Sequence, residues 1–245
     1  MLIGPQNSLT NADLGARIKA VQARMAAAAR QAGRNEDSVT LVAVSKGHEA
    51  AAVQAAASLG LRHFGESYLQ EALPKMESLR GLDLSWHFIG RLQTNKTRAI
   101  AEQFSWVHGL ERQRIAQRLA EQRPFHAPPL NVCIQVNIAA DSTKAGIAPG
   151  QCAALASELA ALPRLKLRGL MCMLPESLDA TQQRQAFEAL RALLLDLNRA
   201  GAALDTLSMG MSGDFEVAIA AGATLVRVGT ALFGERSAVS YGQNA

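Results

Sequence analysis

The chain has 245 residues, 49% of them hydrophobic and 19% charged, with a formal net charge of +4. That supplies one large core and excludes a disordered tail or a supercharged surface. Clustered Lys/Arg with interleaved aromatics and apolar runs of about 18 residues are both missing, so neither nucleic acid nor a membrane is an expected partner.

The N-terminal stretch lacks a basic region followed by an apolar core, so no signal peptide is expected. Residues 10–33 predict a long first helix. Thr10 or Asn11 can cap it, and Leu14, Ile18, Val21 and Met25 fall on one stripe. The apolar, β-branched run 39–44 predicts a strand covered on both faces. Helices are then expected over 50–59, 68–79, 95–103, 111–122, 149–162, 180–200 and 212–221. Strands are expected over 61–64, 86–89, 104–107, 130–137, 167–171, 203–207 and 225–228. Strands alternating with helices mean parallel βαβ units, and eight of them close naturally into a (β/α)8 TIM barrel with the first helix outside the ring. An open doubly wound sheet is the alternative. It is weakened because no GxGxxG follows the first strand. A single domain over 10–236 is expected, with 237–245 a flexible tail.

Lys46 follows the first expected strand, at the end where barrel loops build sites. It either reaches water, holds a carboxylate, or offers an amine that condenses with an aldehyde. Two late segments belong together. LSMGMSGDFE carries Ser208, Gly210, Ser212 and Gly213, and LVRVGTALFG carries Gly229 and Thr230 directly after the last strand. The loops after strands seven and eight of a barrel commonly hold phosphate through backbone N–H groups. Read otherwise, these are turns and caps. Arg227, inside the last apolar strand, is a structural ion pair, an outward arginine, or a donor facing a bound ring. Alternation turns His87 away from Trp86 and Phe88, toward the barrel mouth or into a satisfied core. Cys133, Cys152 and Cys172 lack metal-ligand spacing, so no metal is expected. An odd, sparse set fits a reducing compartment, and the cytoplasm is the expected location.

The segments VAVSK, HFGESYLQEA, WHFIGRLQTNK, QVNIAADSTKAGI, LRGLMCM, LSMGMSGDFEVAIAAG and VRVGTALFG occur in this order. In them the chain resembles the pyridoxal phosphate homeostasis protein family, from about residue 12 to 236. The resemblance implies a barrel like the alanine racemase N-terminal domain, with pyridoxal 5'-phosphate held on Lys46 as a Schiff base. It implies phosphate contacts from Ser208, Gly210, Gly229 and Thr230, and Arg227 near the pyridine nitrogen. Ser67 stands where the family commonly has Asn, which leaves a shorter hydroxyl for the cofactor region. Arg91 stands where proline is frequent. Lys96 and Lys144 either add positive potential near the mouth or are solvated. A racemase needs two bases at one carbon, and neither Tyr68 nor Tyr241 has a clear claim to be the second. No second domain is left over. The expected role is therefore binding, buffering and delivery of the cofactor, with apo-enzymes as partners, no catalytic residue, and a monomer as the default. The competing readings are a racemase or other pyridoxal phosphate enzyme, a sugar-phosphate enzyme using Lys46, and a pure interaction partner.

Overall fold

A computed structural model describes residues 10–141 and 143–235. Eight parallel strands close in sequence order: β1 (Thr40–Val44), β2 (His63–Glu66), β3 (Ser85–Phe88), β4 (Trp106–Leu110), β5 (Leu130–Gln135), β6 (Leu165–Met171), β7 (Thr206–Ser208) and β8 (Leu225–Val228). Helix α1 (Asn11–Gln31) precedes them. Between and after the strands come α2 (Ala50–Ser58), α3 (Leu69–Ser78), α4 (Thr97–Gln103), α5 (Gln113–Gln122), α6 (Cys152–Ala160), α7 (Ala180–Arg199), α8 (Phe215–Ala220) and α9 (Thr230–Phe233). The expected (β/α)8 barrel is the observed architecture, and the open sheet is excluded because β8 pairs with β1, with Val42 opposite Arg227.

Helix α1 lies outside the ring against α8 and α9. Its start is fixed by a reciprocal capping box between Thr10 and Asp13, and the stripe Leu14, Ile18, Val21 and Met25 is buried. Strands β2, β4 and β7 begin two or three residues later than their composition suggests. Asn198 binds both the N–H and the carbonyl of Leu204 at 2.8 Å, which keeps that residue out of the ladder, so β7 starts at Thr206. The N–H of Phe104 still closes α4 on Ile100, so β4 starts at Trp106.

Many large apolar side chains, among them Phe64, Phe88, Phe104, Ile100 and Leu130, are fully buried. With Phe64 packed on Trp86 and Phe88 on Phe104, this apolar core forms the shell between strands and helices. The lumen is different. His87, His108, Ser208 and Arg227 are buried and joined across it by hydrogen bonds. The barrel also draws β6 and β7 close together: a Cβ on Gly169 would stand 1.8 Å from the Thr206 carbonyl oxygen.

The proposed tail 237–245 and Tyr241 lie outside the described residues.

Candidate functional site

At the C-terminal end of the strands lies a cavity of about 430 Å³ whose walls include Lys46, His48, Ser212, Gly213, Arg227 and Thr230. Val44 and Gly229 complete the β1/β8 side.

Lys46 is half-buried, one residue past the fully buried Ser45. The backbone around it is clamped. Ser45 Oγ donates to Glu66 Oε1 at 2.6 Å, and Lys75 Nζ donates to the Ser45 carbonyl at 2.9 Å. The Gly47 N–H donates to Glu71 Oε1 at 2.6 Å, and Gly47 has φ +77°, which glycine tolerates best. Lys75 ties the clamp together with bonds of 2.6 Å to Glu66 and 2.9 Å to Glu71. Burial raises the Glu66 carboxyl above its ordinary value, and the Lys75 ammonium opposes that rise. The motif HFGESYLQEA thus supplies two carboxylates that hold the loop carrying Lys46. Sequence reading missed this role, although a glutamate closing an apolar strand was its signal.

The two glycine-bearing loops meet at the cavity. Gly210 has φ +95°, and a Cβ there would stand 2.7 Å from Ala218 Cβ. Its carbonyl accepts from the Arg227 N–H at 2.9 Å. The Ala231 N–H donates to Ser212 Oγ at 3.4 Å, joining one loop to the other. Asp214 holds the Met211 N–H at 2.5 Å. The N–H groups of Ser212, Gly213 and Thr230 have no acceptor among the described residues, so this wall carries donors suited to an anion.

Arg227 faces inward and is 4% exposed. Its Nη1 donates to Ser208 Oγ at 2.6 Å and its Nη2 to the Cys172 carbonyl at 2.8 Å. Burial lowers its pKa. Among the described residues no carboxylate forms a salt bridge with it, and the nearby Asp214, another wall of the cavity, partly offsets the effect of burial on the guanidinium. Ser208 is not a cavity wall residue: its hydroxyl lies between Arg227 and His108 Nδ1, 2.7 Å away. His87 is fully buried inside the barrel, bonded to His63 and His108. Burial pushes His108 down to about 3 and His87 well below its ordinary value. Sequence reading did not anticipate His63, His108 or His48; His48 packs at a tilt against Phe233 with ring centroids 5.1 Å apart.

Ser67 is half-buried and is not among the cavity walls. Its carbonyl oxygen would lie 2.2 Å from a Cβ on Gly90, so its backbone packs the β2 and β3 loops together. Lys96 and Lys144 are half-buried and Arg91 is exposed, none of them in the cavity wall. Tyr68 is 53% exposed at the start of α3. No cluster of His, Cys, Asp and Glu suited to a metal ion is present among the described residues.

The fold is a closed parallel (β/α)8 barrel, and the model for the alanine racemase N-terminal domain matches residues 17–237 of it. The chain is 56% identical over 219 residues to the pyridoxal phosphate homeostasis protein of Pseudomonas aeruginosa, covering 89% of this chain and 94% of that one. It is 44% identical to the Escherichia coli K12 protein of the same name, over 91% and 97% of the two chains. The chain belongs to the pyridoxal phosphate homeostasis protein family. Among solved structures, PipY of Synechococcus elongatus PCC7942 with PLP bound is 37% identical with a TM-score of 0.81, covering 90% of this chain and 100% of that one.

Proposed function

We propose that this protein binds pyridoxal 5'-phosphate and serves its homeostasis, holding the cofactor rather than turning over a substrate. The observation that carries this reading is one cavity that combines a strand-end amine, a buried cation and two donor-bearing loops. The residues fit a phosphorylated aldehyde. Arg227 forms no salt bridge among the described residues, and the N–H groups of Ser212, Gly213 and Thr230 have donor capacity to spare.

When bound, the cofactor supplies an aldehyde, and Lys46 is the amine that would hold it as a Schiff base. The clamp of Glu66, Glu71 and Lys75 holds the Lys46 backbone in place. Gly229 and Thr230, with Ser212 and Gly213, form the phosphate end, and Gly210, not itself a cavity wall, shapes the loop that carries Ser212 and Gly213. Arg227 is the donor toward the ring nitrogen, and because a guanidinium cannot give up its proton it leaves that nitrogen unprotonated. The homeostasis names of the relatives support a carrier over an enzyme. The free thiols of Cys133, Cys152 and Cys172 support a reducing, cytoplasmic setting. The protein acts as a monomer, with apo pyridoxal phosphate enzymes as recipients.

The test is to incubate the protein with pyridoxal 5'-phosphate, reduce with borohydride and map the modified peptide. A visible imine band and a label on Lys46 are expected, both lost in Lys46→Ala. A band that persists in Lys46→Ala overturns the assignment. Loading the protein and adding an apo-enzyme then separates delivery from buffering. Activity that recovers faster than free cofactor is released means delivery.

A further inference from the structure

The barrel lumen holds a line of five polar side chains running away from the cavity. Arg227 Nη1 lies 2.6 Å from Ser208 Oγ, and Ser208 Oγ lies 2.7 Å from His108 Nδ1. His108 Nε2 then lies 2.9 Å from His87 Nδ1, and His87 Nε2 lies 3.0 Å from His63 Nδ1. The line crosses from β8 through β7, β4 and β3 to the first residue of β2, at the opposite end of the barrel from Lys46. His87 is also stacked on Trp106, with ring planes 9° apart, which fixes its orientation.

The direction of every proton follows from one end. A guanidinium only donates, so Ser208 Oγ must accept from Arg227. Ser208 and His108 are fully buried. If His108 Nδ1 also donated to Ser208, the hydroxyl would hold two incoming donors and its own hydrogen would need a further acceptor. With the hydroxyl donating to His108 Nδ1, every group is satisfied. His108 then carries its proton on Nε2 and gives it to His87 Nδ1. His87 gives its Nε2 proton to His63 Nδ1, and half-buried His63 turns its own N–H outward. Both buried rings must be neutral for this, and burial keeps them so. No carboxylate bonds any of the three rings among the described residues, so the tautomers are set by the chain itself. An apolar filling could pack this lumen, but it could not commit the Ser208 proton away from Arg227.

We propose that His108, with its tautomer locked through His87 and His63, is a positioning residue that reserves the Ser208 hydroxyl as an acceptor for Arg227 and so fixes Arg227 as a donor into the cavity. The consequence for ligand rests on the reading that the cavity takes pyridoxal 5'-phosphate; the proton arrangement does not.

The first test needs no ligand. Nitrogen-15 NMR of the histidine-labelled apo protein is expected to show His108 and His87 neutral and protonated on Nε2 at pH 7. Ser208→Ala is expected to shift the ring nitrogens of His108, His87 and His63 together. A proton on His108 Nδ1, or a Ser208→Ala change confined to His108, overturns the proposal. The second test is pyridoxal 5'-phosphate titration of two variants. His108→Leu is expected to weaken binding about tenfold, the scale of one charge-assisted hydrogen bond. His108→Gln, which can accept and donate at once, is expected to recover most of the loss. Equal affinity of His108→Leu and the parent, or no recovery in His108→Gln, overturns the positioning role. If the parent itself takes up no pyridoxal 5'-phosphate, the functional reading fails while the NMR result still decides the chain.

Discussion

Replacing Lys75 by methionine strips the cation from between two buried carboxylates. Glu66 is fully buried, and its Oε1 takes both Lys75 Nζ and Ser45 Oγ at 2.6 Å. Its Oε2 has no partner among the described residues, so without Lys75 the charge would rest on one serine hydroxyl. Breaking a buried pair in this way costs about 3–5 kcal/mol, a large share of the ~5–15 kcal/mol that holds a typical domain together. With a urea slope of about 2–3 kcal/mol per molar, the unfolding midpoint should fall by roughly 1–2 M. The pH dependence identifies the cause. Burial already raises the Glu66 pKa, and losing Lys75 raises it further. Between the unfolded and folded values the native state binds the extra proton, so stability contributed by protonated Glu66 is present at low pH and lost as pH rises. The variant's deficit at pH 8 should therefore shrink toward pH 5, and Glu66→Gln added to Lys75→Met should restore much of it. A Lys75→Met midpoint within about 0.3 M of the parent at pH 8 would refute this account of the clamp.

Acid should weaken the fold through the lumen histidines. Burial holds His108 at about 3 and His87 well below its ordinary value, so from pH 7 to pH 5 the unfolded chain binds protons that the native one refuses. Stability is lost as pH falls, by about 2 kcal/mol per histidine, and urea midpoints at the two pH values measure it; a flat profile contradicts neutral burial. Gly210→Ala places a side chain on a φ of +95° and 2.7 Å from Ala218 Cβ. It should lower affinity for pyridoxal 5'-phosphate more than for pyridoxal, and an equal loss for both would remove Gly210 from the phosphate end. Gly169→Ala drives a Cβ to 1.8 Å from the Thr206 oxygen and should cost ~3 kcal/mol or more in thermal or urea unfolding; a neutral result would mean that β6 and β7 part easily.

The barrel and its site loops were legible because their signals are local. Apolar runs alternate with amphipathic stretches, and Lys46, Gly229 and Thr230 sit directly where strands end. Alternation also turned His87 inward correctly, but it could not name its partners. His63, His87 and His108 are isolated histidines on three strands, and only the stagger of a closed barrel brings their rings to 2.9–3.0 Å. The family resemblance implies a phosphate contact for Ser208, yet its side chain turns to the lumen. Glu71 and Lys75 are four residues apart on α3, and they become a buried clamp because Glu66 of β2 and the Ser45–Gly47 turn close over them.

The register that sets Val42 beside Arg227 brings the turn that carries the amine to the strand that carries the cation, from opposite ends of the chain. Neither half of the polypeptide carries the site. On the proposed reading, capture of an aldehyde by Lys46 waits during synthesis until the last strand pairs with the first, so a chain stalled before β8 lacks the complete site. Ligand bound there would in turn staple the seam where the barrel is sealed, making occupancy a report that the whole ring has closed.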